Sequence, residues 1–190
     1  MEVMQINNGL LDIARQVPSP NCDARPSGQA IDLIVVHGIS LPPGEFGGPW
    51  IDDLFTHQLD PQAHEYFRDI HELQVSSHLL IRRDGEVVQY VPFERRAWHA
   101  GASCFGSREA CNDYSIGIEL EGADDIPYTD AQYWQLAELI RRLRSVFPQI
   151  LQENIVGHSD IAPGRKTDPG PVFDWERLHT LLDKGGADRA

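Results

Sequence analysis

Leu33-Ile34-Val35-Val36 is an unbroken apolar run, rich in branched residues and short. Such a run reads as a buried strand rather than a helix. His37 follows at its carboxyl end, which is where an α/β sheet presents functional groups. A second segment, Ser115–Glu121, alternates in the period of a strand: Ile116, Ile118 and Leu120 share one face, and Gly117, Glu119 and Glu121 share the other. A glutamate in mid-strand beside a glycine is costly unless that face lines a polar site.

The remaining elements fit around these two strands. Leu79–Ile81 and Val87–Val91 flank Arg82-Arg83-Asp84-Gly85, and Asp-Gly between apolar segments predicts a tight hairpin. Thr129–Phe147 predicts the main helix: Thr129 and Gln132 form a capping-box pair, and Tyr133, Leu136, Ala137, Ile140 and Leu143 mark one apolar face. Asn154–His158 predicts a last short strand, and Asp174 the cap of a final helix through Leu182. Leu10–Gln16 is expected as a short helix, with one or two more between Trp50 and Leu73. Pro18–Gly28, Leu41–Gly48 and Gly101–Asn112 are expected as loops. The fold class that follows is α/β, a single domain over 1–183 with a mixed central sheet and helices packed on its faces; residues 184–190 are expected as a disordered tail.

The segment Gly157–Gly170 concentrates His158, Asp160, Lys166 and Asp168 between Pro163, Gly164, Pro169 and Gly170, which forbid continuous helix or strand. Two readings stand on its composition: a rigid loop that brings an imidazole and a carboxylate to a metal, or a solvated polar loop. His78 and Asp160 are rival ligands, the first read as a satisfied or supporting histidine and the second as a brace for its loop. His64-Glu65 imitates the start of a metalloprotease helix, but the position four after His64 is Arg68, so the motif fails.

A formal net charge of −13 excludes the basic face that nucleic-acid binding needs and disfavours anionic membranes and wall polymers. A small soluble substrate suits it better, and no obligate protein partner is evident. No stretch reads as a signal peptide or membrane span, so a cytoplasmic protein is expected. Cys22, Cys104 and Cys111, an odd and sparse set, are expected as reduced thiols.

Several long segments, in order, are similar to one family: VVHGIS from Val35, LPPGEFGGPWID from Leu41, LIRRDGEVVQYV from Leu80, RAWHAG from Arg96, ACNDYSIGIELEG from Ala110, YTDAQY from Tyr128 and GHSDIAPGRKTDPGP from Gly157. From about Pro18 to Trp175 the chain resembles the zinc-dependent N-acetylmuramoyl-L-alanine amidases, in particular the cytoplasmic AmpD type that cuts 1,6-anhydromuropeptides during cell-wall recycling. The resemblance implies Zn2+ held by His37, His158 and Asp168, with a small muropeptide as substrate. It implies Glu119 as the base and Lys166 as the cation beside the oxyanion, roles that also fit their chemistry. Trp98, His99 and Arg108 are the expected substrate-binding residues, with Arg82, Arg83, Arg95 and Arg96 as further candidates for peptide carboxylates. Gly38 departs from the asparagine of AmpD-type relatives, so one substrate hydrogen bond is expected to be missing.

Overall fold

The computed structural model describes residues 4–184. Six strands make the central sheet: β1 (Arg15–Gln16), β2 (Leu33–Ile39), β3 (Leu79–Ile81), β4 (Val87–Gln89), β5 (Ser115–Glu121) and β6 (Ile155–Gly157). They lie in the order β6-β2-β5-β3-β4-β1, and only the β3–β4 hairpin is antiparallel. Five helices are α1 (Trp50–Phe55), α2 (Phe67–Ile70), α3 (Asp130–Val146), α4 (His158–Ile161) and α5 (Trp175–Asp183).

The alternation of β2 and β5 sorts their side chains between two layers. Ile34 and Val36, with Ile116, Ile118 and Leu120, face α3 and α5, where they meet Leu136, Ile140, Leu143 and Leu178 in the larger core. Thr129 starts α3 as the sequence predicts: its Oγ1 accepts from Gln132 N at 3.2 Å, and Gln132 Oε1 accepts from Thr129 N at 3.0 Å. The same Gln132 is fully buried and donates to the carbonyls of Ile81 and Glu121, tying the helix start to two strand ends. On the opposite face Leu80 and Val88 are covered by Leu41 and by Ile51, Leu54 and Phe55 of α1. That cover reaches β2 only at Ile39, and His37 and Glu119 lie beside each other on the same face.

Three expectations are corrected. Leu10–Gln16 is not a helix. Leu10–Leu11 instead pairs with Ile6–Asn7 around Asn8-Gly9, both with positive φ, and Arg15–Gln16 joins the sheet beside β4. An Asn-Gly turn sets this hairpin, and the buried Gln89 side chain then takes the Leu11 amide at 2.7 Å, so tertiary pairing overrides a weak local pattern. The expected loops carry short ribbons: Cys22–Ala24 pairs with Arg95–Ala97, and Cys104–Phe105 with Arg108–Glu109. The segment after β6 begins with one helical turn, α4, before Pro163 and Gly164 end it. The expected disordered tail lies outside the described residues except for Lys184, which caps α5.

Leu136 is fully buried between α3 and the sheet, so Leu136→Ala should lower the unfolding free energy by about 2–5 kcal/mol. Removing the cap with Thr129→Ala should cost about 1 kcal/mol. Urea denaturation of the two variants checks both the values and their order.

Candidate metal centre

Parallel pairing of β5 with β2 sets Glu119 opposite His37. His158 starts α4 directly after β6, which pairs with β2 on its other side. Asp168 returns on the loop that follows. The loop is held by Ser159 N donating to Asp168 O (3.0 Å), Gly157 N to Asp160 Oδ2 (2.8 Å) and Tyr128 Oη to Pro169 O (2.9 Å). Asp160 therefore braces the loop, as the sequence suggested.

His37 Nδ1, His158 Nδ1 and Asp168 Oδ2 form a triangle with sides of 3.0, 3.1 and 3.1 Å. Ligand atoms about 2.0–2.1 Å from a tetrahedral zinc stand a little over 3 Å apart, so the triangle has the size of three such ligands. The outer nitrogens are occupied separately. His158 Nε2 donates to the Ala100 carbonyl at 3.1 Å, while His37 Nε2 meets His99 Nδ1 at 2.9 Å. With a cation in the triangle both imidazoles would present an unprotonated Nδ1, the form a metal ligand needs, and each Nε2 has a partner to hold its proton. Two imidazoles and a carboxylate, three protein donors and no thiolate, match the donor set of a catalytic rather than a structural site.

Glu119 lies beside the triangle, its Oε1 4.0 Å from His37 Nδ1. Its Oε2 is buried with no partner among the described residues, an orphan that a bound ion or water would satisfy. Burial, then the charge of Asp168, pushes the Glu119 carboxyl well above its ordinary value, with Lys166 pulling the other way. Burial lowers His37 to about 4. In the metal-free chain burial would raise the Asp168 pKa, but hydrogen bonds from His158 and His37 outweigh it and hold the carboxyl below the ordinary range. Lys166 is exposed on the loop, and its positive charge is felt at both His37 and Glu119.

The other candidates separate. His78 is fully buried but stands outside the triangle: its Nδ1 accepts from Gly117 N at 3.0 Å and its Nε2 meets Arg95 O at 3.1 Å. His99, expected to bind substrate, meets His37 and Ser115. Arg108 pairs with Asp32 at 2.8 and 3.1 Å and stacks over Tyr114, and Asp32 precedes β2, five residues or roughly 16 Å along an extended chain from His37. Trp98 is half-buried with its indole N–H on Asp23. Arg82 is held by Glu121 and Asp52, and Arg96 by Asp23 and Asp113. At Gly38 a Cβ would come within 2.3 Å of Tyr128 Oη, so a larger residue there requires that hydroxyl to move. The sequence missed the contacts of His99 with His37 and of the Ala100 carbonyl with His158.

The sequence pattern of the N-acetylmuramoyl-L-alanine amidase family matches residues 27–171. The 1,6-anhydro-N-acetylmuramyl-L-alanine amidase AmpD of Escherichia coli (strain K12) is 61% identical over 181 residues, 95% of this chain and 98% of that protein. A crystal structure of a Se-Met AmpD derivative superposes with a TM-score of 0.92 at 60% identity, covering 94% of this chain and 99% of that one. The N-acetylmuramyl-L-alanine amidase AmiD from E. coli, solved with the substrate anhydro-N-acetylmuramic acid-L-Ala-D-gamma-Glu-L-Lys, aligns at 29% identity and a TM-score of 0.59, over 83% of this chain and 60% of that one.

His37 and His78 are driven down from 6.5 to about 4 and about 3 by burial. A base whose pKa falls on folding binds fewer protons folded than unfolded. Its contribution is thus complete above pH 6.5 and is lost as pH drops toward the folded value. Glu119, raised on folding, works in the opposite sense over this range, but the two histidines outweigh one carboxyl, so the metal-free chain should be less stable at pH 5 than at pH 7, each histidine contributing up to about 1.4 kcal/mol per pH unit. Urea titrations at the two pH values in chelator check this, and His78→Gln should reduce the difference.

Proposed function

The chain belongs to the N-acetylmuramoyl-L-alanine amidase family and is an amidase; we propose that it uses zinc to cut the bond between the lactyl group of 1,6-anhydro-N-acetylmuramic acid and L-alanine. Its substrates in this reading are small anhydromuropeptides, its compartment is the cytoplasm and its setting is peptidoglycan recycling, within one zinc amidase domain over residues 1–183. The observation that carries the chemistry is the triangle of His37, His158 and Asp168 with the buried Glu119 beside it. The substrate class is supported by the near-complete match to a relative named for it. A net charge of −13 also suits a small substrate over an anionic polymer. Among the described residues no helix is long and apolar enough to cross a membrane.

When bound, zinc would polarise the amide carbonyl and lower the pKa of water at its open position. His37, His158 and Asp168 hold it, each fixed by a further hydrogen bond or by the loop backbone. Glu119 takes a proton from the attacking water and delivers it to the departing alanine nitrogen. Its place beside the triangle, 4.0 Å from His37 Nδ1, suits a group that must both accept and release that proton. Lys166 offsets the negative charge that grows on the carbonyl oxygen. The half-buried indole of Trp98, next to His99 in the chain, remains the candidate wall for the sugar.

Mass spectrometry of 1,6-anhydromuramyl tripeptide digests, beside intact sacculi and with or without chelator, tests the reading. Chelator-sensitive release of peptide from the small substrate, with little from sacculi, is expected; preference for sacculi, or release from neither with zinc bound, overturns it. Glu119→Gln should retain zinc and lose about 10²–10⁴-fold in turnover. Asp168→Ala should instead lower zinc content, read by elemental analysis.

A further inference from the structure

His99 sits behind the metal triangle. Its ring packs over Gly117, where an added Cβ would come within 2.5 Å of His99 Cγ. Its Nδ1 lies 2.9 Å from His37 Nε2 and its Nε2 lies 3.1 Å from Ser115 Oγ. The rings of His37 and His99 meet edge to face, at 86°.

With a cation at the triangle, these contacts can be filled with protons in one consistent way. His37 turns Nδ1 toward His158 and Asp168. A nitrogen offered to a cation must be a free lone pair, so the proton of neutral His37 is on Nε2 and is donated to His99 Nδ1. His99 then carries its own proton on Nε2 and donates it to the Ser115 hydroxyl. Each hydrogen bond sets the tautomer of the next ring.

We propose that His99 is a positioning residue: by accepting the Nε2 proton of His37 it fixes the orientation and tautomer in which His37 meets the metal. Ser115 fixes His99 in turn, and Gly117 supplies the space for its ring. The inference rests on the zinc-centre reading above. The partner of a metal-binding histidine is commonly a carboxylate or a carbonyl, and His158 follows that pattern with Ala100. An imidazole serves at His37 because Asp168 and Glu119 already crowd the site, and another carboxylate would add like-charge repulsion.

The test compares zinc affinity, by competition with a chromophoric chelator, in the unaltered chain, His99→Leu and His99→Asn. Leucine keeps bulk without an acceptor; the asparagine Oδ1 falls near the place of Nδ1. His99→Leu should bind zinc about 10–100-fold more weakly, and His99→Asn should recover most of that loss. Equal affinity in His99→Leu, or equal weakening in both variants as packing alone would give, overturns the proposal. Nitrogen-15 NMR of the zinc-loaded unaltered chain gives a readout that needs no variant: protons on Nε2 of both His37 and His99 are expected, and a proton on His99 Nδ1 overturns it. Zinc binding that His37→Ala leaves unchanged would overturn the metal reading itself, and with it this inference. Binding that depends on His37 but not on His99 overturns the inference alone.

Discussion

The registry between two parallel strands governs the molecule. Pairing Glu119 with His37 across β5 and β2 puts a carboxylate and an imidazole side by side on one sheet face. A slip of one residue would reverse every side chain of β5, moving Glu119 into the α3 core and Ile118 or Leu120 into the site. The apolar partners of that core, from Ile116 to Leu143, therefore do more than stabilise the fold. They make any other register prohibitive, and so the chemistry is placed by packing on the far side of the sheet.

The near side carries the opposite balance. His37, His78 and Glu119 are buried groups whose charged forms are disfavoured by their surroundings. Ordinary core residues there would remove several penalties, since burying polar groups without full partners is costly. His78 is fully partnered and acts as a pillar under Gly117, whereas Glu119 keeps one oxygen bare. That difference separates a structural polar residue from one left open for a ligand.

Much of this was legible in the sequence because it depends on local patterns. The branched run before His37, the alternation through Glu119 and the capping box at Thr129 each announce an element and its buried face. The convergence of His158 and Asp168 with His37 was suggested by chemistry and resemblance, and the fold supplies the distances. What stayed hidden depends on pairs remote in the chain. Leu10–Leu11 became strand rather than helix where Gln89, far away in sequence, takes the Leu11 amide. Arg108 was drawn to Asp32, and nothing in its neighbours announces that partner. The contact of His99 with His37 was similarly invisible, since a histidine's neighbours in sequence do not say which ring it will meet.

β6 is an edge strand of three residues, yet the loop it feeds carries two corners of the triangle. Edges are where sheets open first, by local fluctuations far smaller than global unfolding. A cation held between His37 on β2 and the His158–Asp168 loop would clasp that edge to its neighbour, closing a circuit of 121 residues. Capacity for the cation and closure of the sheet margin are then one equilibrium. An edge seam of the sheet and its reactive centre would open and shut together.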